Sequence, residues 1–165
     1  MEAFFNLLSS YEFFNNLFPG IIFSYFFILQ ENNFFKNNIE LYEKLFIYYF
    51  IGLIINRIGS LLLEPTLKKL KIIEFADYLK FLEAEKMDNK ITMLLLVNNM
   101  YRSFVVVFLL CFFWLIFKNK FLLCTSSLEP LIILFLLLLF FYSYKKQTEY
   151  IRQRVEKNLK LNRRN

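Results

Sequence analysis

The chain has 165 residues, 58% of them hydrophobic and 21% aromatic, with 23 Phe and 10 Tyr against 3 Gly and 3 Pro. Ordinary soluble domains are about 45–50% apolar even when Gly is counted, and here the excess lies in long uninterrupted blocks, which excludes one soluble core of this size in favour of a membrane protein. Twenty Lys and Arg against fourteen Asp and Glu give a net charge of +6, and the absence of histidine excludes a His-ligated zinc site, a His general base and an imidazole pH switch.

In chain order, Glu2 to Phe18 sets Glu2, Asn6, Ser9, Glu12, Asn15 and Asn16 against Phe4, Phe5, Leu8, Tyr11, Phe14 and Phe18. That near-3.6 period predicts an amphipathic helix lying in the membrane interface. Pro19-Gly20 predicts a break or kink. The first span follows, from Ile21 to about Phe35, short unless it recruits residues from Phe13 onward. The second span is Leu45 to Leu63, about 28 Å long at 1.5 Å per residue, and Pro65 closes it.

Pro65 to Asn99 is more polar and carries two short amphipathic patterns, Leu67, Leu70, Ile73 and then Phe75, Tyr78, Leu79, Leu82. Asp88 is placed to cap the next helix, which runs into a third span from Ser103 to Phe117. A turn at Lys118 to Lys120 leads to the fourth span, whose start is signalled by Ser127, Glu129 and Pro130 before a run of Leu, Ile and Phe. No breaker follows, so that helix is expected to continue through the basic tail to nearly Leu161.

The expected fold is all-α: an integral membrane four-helix protein with an interfacial N-terminal helix, a helical cytoplasmic loop and a basic C-terminal helix. Its units are 1–64 (interfacial helix, first two spans), 65–99 (loop), 100–144 (third and fourth spans) and 145–165 (basic helix). Lys and Arg outside the spans number fifteen in the 65–102 segment and the tail against four in the other two loops, which places both termini in the cytoplasm. Nothing in the first thirty residues reads as a removable signal peptide. The two cysteines, Cys111 and Cys124, sit in apolar surroundings and read as buried free thiols.

Arg57 lies about 9 Å inside the second span. It reads either as a snorkelling side chain or as part of a polar face with Asn56, Ser60 and Glu64, next to a small-residue stripe of Gly52 and Gly59; such faces meet protein or water rather than lipid. Asn98, Asn99 and Arg102 at the mouth of the third span supply the other half, and an Arg102–Glu64 or Arg57–Glu64 pair would offset a costly membrane charge. These residues are candidates either for structural pairing between helices or for lining an aqueous vestibule.

In the tail, Tyr144, Thr148, Ile151, Val155, Asn158 and Asn162 repeat at steps of 4, 3, 4, 3, 4, a polar heptad seam that suits a cytoplasmic homo-oligomeric bundle. Around it lie Lys145, Lys146, Arg152, Arg154, Lys157, Lys160, Arg163 and Arg164. They suit either topology and anionic lipid or an anionic ligand such as a nucleotide or a single nucleic-acid strand. No nucleotide-binding loop, nucleophile elbow, paired acids or Cys-x-x-Cys is present, so neither an enzyme nor a cofactor is expected.

Tyr11, Pro19-Gly20, Asn56-Arg57-Ile58-Gly59-Ser60, Glu64-Pro65, Tyr78 and Asn98-Asn99-Met100-Tyr101-Arg102 together resemble features of small four-span proteins of bacterial anti-phage defence loci. Among those the chain is similar to the channel-like membrane effector of the Hailong system, over about Tyr11 to Arg102. The resemblance implies a homo-oligomeric pore of the bacterial inner membrane, held in check by a nucleic-acid ligand that a partner nucleotidyltransferase makes. The alternative is a non-conducting anchor or scaffold whose amphipathic loop recruits a soluble partner.

Overall fold

Long runs of Leu, Ile and Phe with hardly a Gly or Pro leave the backbone one inexpensive way to satisfy its own polar groups, the α-helix. The computed structural model describes residues 2–30, 40–117 and 128–162, with side chains placed for 13–27, 40–117 and 128–160. Among them the regular elements are helical throughout: α1 (Glu2–Gln30), α2 (Leu41–Ile58), a π-helical turn (Gly59–Leu63), α3 (Glu64–Lys69), α4 (Tyr78–Met87), α5 (Lys90–Phe117) and α6 (Glu129–Asn162). The all-helical expectation holds, and α6 runs through the basic tail as anticipated.

Helix α2, the π turn and α3 form one rod, Leu41–Lys69, and this rod, α5 and α6 are each long and apolar enough to cross a membrane. A shorter apolar stretch, Phe13–Phe27, lies within α1. The break expected at Pro19-Gly20 is absent, because α1 is helical on both sides of Pro19. Proline is tolerated within membrane helices where neighbouring helices re-satisfy the freed backbone, and the Pro19 side chain is fully buried. In the 13–18 segment the two faces are distinct as expected, but Asn15 and Asn16 are buried, meeting protein rather than water, while Phe13, Phe14 and Phe18 are exposed. The expected end of the first span at Phe35 lies outside the described residues.

Helices α1 and α2 pack antiparallel and very closely. A Cβ at Gly20 would stand 1.8 Å from the Tyr48 carbonyl oxygen, and one at Gly52 would stand 1.7 Å from that of Asn16. Only glycine allows this approach, the small-residue packing by which membrane helices gain van der Waals contact without a hydrophobic driving force. α5 is the central helix; Val106, Val107, Cys111 and Leu115 pack with Ile55 of α2 and Ile133 of α6, flanked by Phe23 and Phe26 of α1. Cys111 is a buried free thiol, and Cys124 lies outside the described residues. α6 returns antiparallel along α5, with Phe140 stacked on Phe108 at 5.5 Å between ring centroids.

The rod ends in a Schellman motif: Ile72 N–H donates to the Leu67 carbonyl and Lys71 N–H to that of Lys68, both at 3.0 Å. The motif demands a left-handed residue, which is Lys71 at φ 56°. The chain then crosses to α4, where Asp77 caps the first turn through Leu79 and Lys80. Asp88 caps α5 as expected, its Oδ1 accepting from Lys90 N–H at 3.1 Å.

Candidate functional site

The π turn decides which polar residues meet. At 100° per residue, an unbroken α-helix would put Arg57 and Glu64, seven apart, about 20° from each other, and Asn56 and Glu64, eight apart, about 80° from each other. A π turn takes up one extra residue. Asn56 and Glu64 therefore come onto one face two turns apart, and Arg57 is carried off it. At the start of that turn Gly59 leaves room for an incoming side chain, since a Cβ there would lie 3.2 Å from both Cγ and Nε of Arg102.

Arg102 of α5 fills that room and is only 8% exposed. Its Nη1 donates to Glu64 Oε2 at 2.6 Å and its Nη2 to Asn56 Oδ1 at 2.8 Å. Asn56 passes the chain on, its Nδ2 donating to Asn16 Oδ1 of α1 at 3.1 Å. The other Glu64 oxygen lies 3.1 Å from Lys68 Nζ. Four segments, α1, α2, α3 and α5, are thus linked by one polar chain, and charge-assisted bonds of this kind are about twice as strong as neutral ones. Beside it, Arg102 Nε and Tyr144 Oη are buried without a hydrogen-bond partner among the described residues. Alongside, Asn15 Nδ2 donates to the Leu96 carbonyl at 2.9 Å.

On the same face of α5, Asn98 is 2% exposed, as is Thr148 of α6, and Thr148 Oγ1 donates to Asn98 Oδ1 at 3.2 Å. This ties α6 to α5 one helical turn from Arg102. The remaining candidates are placed differently. Ser60 Oγ donates to the Arg57 carbonyl and so satisfies itself on its own helix. Arg57 is exposed, in a shallow groove between Leu53, Ile54, Ile58, Leu61 and Leu62, facing away from Glu64. Asn99 lines a cavity of about 310 Å³ enclosed by α3, the 70–78 crossing, α4, α5 and α6, with Glu64, Lys68 and Arg102 at one side.

The heptad seam of the tail faces its own chain. Tyr144 packs with Leu67, Ile73 and Val105, and Ile151 and Val155 pack with Ala84 of α4 and Ile91 of α5. Asn158 Nδ2 donates to Asp88 Oδ2 at 3.0 Å. The apolar seam residues are thus taken up within one protomer, because α4 folds back and offers them a nearer partner than a second copy would.

Two of the tail arginines are likewise engaged. Arg152 bonds Glu149 and Glu74, each at 2.8 Å, and Arg154 Nε donates to Asp88 Oδ2 at 2.7 Å. The Arg154 bond, then that of Asn158, lowers the Asp88 carboxyl to about 2. Lys145, Lys146, Lys157 and Lys160 are exposed, while Arg163 and Arg164 lie outside the described residues, as does the side chain of Asn162.

Sequence reasoning identified Asn56, Glu64 and Arg102 but not Asn15, Asn16 or Lys68 as their companions. The usable signal for the register shift was Gly59-Ser60, since Gly/Ser pairs and π bulges are recognised causes of helix distortion. Among the described residues no group of His, Cys, Asp or Glu could hold a metal ion. No protein-family model, no curated protein and no solved structure matches the chain.

Proposed function

We propose that the chain is a multi-pass protein of the bacterial inner membrane, with four spans and both termini in the cytoplasm, that works as a homo-oligomeric pore or channel-like effector and is folded here in a closed form. The observation that carries this reading is the Arg102 guanidinium, buried among apolar helices and held by Glu64 and Asn56. An ionisable residue inside a span is expensive, and where it persists it marks a pathway or a switch more often than an anchor. The stretch from Phe13 to Gln30 is about 27 Å long at 1.5 Å per residue, enough for the fourth span. The positive-inside count sets the orientation.

In this reading the Asn16–Asn56–Arg102–Glu64 chain seals each protomer at its cytoplasmic end, and opening requires Glu64 to leave Arg102. An anionic regulator, a nucleotide or nucleic-acid strand made by a partner nucleotidyltransferase, acts on the tail. Lys145, Lys146, Lys157 and Lys160 offer it exposed charge, whereas Arg152 and Arg154 must first give up their acidic partners. The proposed role in anti-phage defence rests on the resemblance in sequence alone.

One observation favours the second reading, a non-conducting scaffold: Asn15, Asn16, Asn56, Asn98 and the two terminal guanidinium nitrogens of Arg102 all bond within one chain, so these buried groups offer no polar stripe for a conduit between subunits. Ion flux from liposomes containing the purified protein separates the two. A pore predicts leak that rises at least several-fold on Glu64→Gln and is unchanged by Arg57→Gln. Liposomes that stay tight for every variant, with loss of partner recruitment on substitution of the 65–86 loop, select the scaffold.

A further inference from the structure

The cavity of about 310 Å³ has an imbalance of charge that nothing in its walls corrects. Among the described residues Glu64 is the one acid lining it, and its two oxygens already serve Lys68 and Arg102. Two cations thus face one anion, an excess of one positive charge in a partly enclosed space. Half of the Lys68 side chain is exposed, at 49%, and its ammonium stands 4.2 Å from the centroid of the Phe75 ring, so it can swing toward a second anion at small cost.

The lining also includes the aromatic side chains Phe75, Tyr78 and Phe81, with Phe75 directly beside Lys68. A site that is largely apolar, with a few convergent polar groups, is the usual form of a small-molecule pocket, and such pockets begin near 300 Å³. A polymer does not fit this volume, and a bare inorganic anion leaves the aromatic lining unused.

We propose that this cavity binds an amphipathic anion, a carboxylate or phosphate head on an apolar body, with the head beside Lys68 and Arg102 and the body against Phe75, Tyr78 and Phe81. The head then competes with Glu64 for the two cations. This goes beyond the pore reading, because occupancy of the cavity requires no conduction and can be measured on a chain that never opens. The same chemistry is offered by a single-chain lipid from the surrounding membrane and by a soluble aromatic phosphate.

Calorimetric titration of the full chain in a neutral maltoside detergent tests it, with dodecyl phosphate, phenyl phosphate, inorganic phosphate and dodecanol as probes. The expected result is saturable binding of one dodecyl phosphate or phenyl phosphate per chain, at least about tenfold tighter than inorganic phosphate or dodecanol. Preference for dodecyl phosphate assigns the site to lipid, and preference for phenyl phosphate to a soluble ligand.

Lys68→Gln, a change at an exposed side chain that leaves the fold intact, should weaken the preferred probe by about tenfold, the worth of one charge-assisted hydrogen bond. Ala76→Trp, which fills the cavity, should abolish binding. Equal, non-saturable uptake of all four probes, or tight binding that neither substitution alters, overturns the proposal.

Discussion

Arg57 and Arg102 carry the same charge on apolar helices, and they sit at nearly the same level, since Asn56, the neighbour of Arg57 in the chain, bonds Arg102. Their surroundings are opposite. Arg102 is buried between helices with Glu64 and Asn56 as partners, whereas Arg57 stands exposed among Leu and Ile. The first position has a price only the protein can meet, because a buried guanidinium without its acid would be severely destabilising. The second is met by the solvent, since a long side chain at a span's edge reaches the headgroups by snorkelling. Charge at membrane depth therefore says little until the helix register fixes which way it points.

That contrast can be broken most directly at the π turn. Inserting one alanine after Leu61 should turn the helix beyond it by about 100°, swing Glu64 toward Arg57 and strand Arg102. The expected loss is about 5 kcal/mol of stability, the upper end for breaking a buried pair, read from unfolding in mixed micelles. Arg102→Leu should cost less, about 3 kcal/mol, because Glu64 keeps Lys68 at 3.1 Å.

A weaker effect belongs to Asp88 and Arg154, a pair outside the apolar stretches. The Asp88 carboxyl is depressed in the folded chain from 3.8 to about 2, so its stabilisation is fully present above about pH 4 and is lost as the pH falls through about 2. Arg154→Gln should raise the midpoint of acid unfolding and leave stability near pH 7 lower by a small margin. Smallest of all, Arg57→Gln should change stability by no more than about 0.5 kcal/mol, as for other exposed positions.

The difference between the two arginines also marks how far the sequence could be read. Hydropathy and the scarcity of helix breakers made the helical order legible, along with the Asp88 cap and a last helix continuing through the tail. Arg102, Glu64 and Asn56 were recognisable as polar residues out of place in apolar helices. The Arg102–Glu64 pair was named beside Arg57–Glu64, and it is the one that forms; the choice between them was not legible, because seven-residue spacing favours Arg57 with Glu64 on any regular helix and the extra residue of the π turn reverses that preference. Asn15 and Asn16 were missed for a related reason. On a lipid-facing helix the polar side is the inside, and a periodic pattern gives the face without saying which side of it is wet. The tail seam had the right spacing, but α4 is the partner that the fold brings to it.

The register at the π turn is the claim on which the polar site rests, and a double-mutant cycle measures it. Unfolding free energies in mixed micelles for Arg102→Gln, Glu64→Gln and the double variant should give a coupling of about 2 kcal/mol, within the range for contacting residues. The parallel cycle of Arg57→Gln with Glu64→Gln should give none beyond about 0.3 kcal/mol. Coupling of Glu64 to Arg57 and not to Arg102 would mean that the helix runs unbroken through Gly59–Leu63 and would contradict the account.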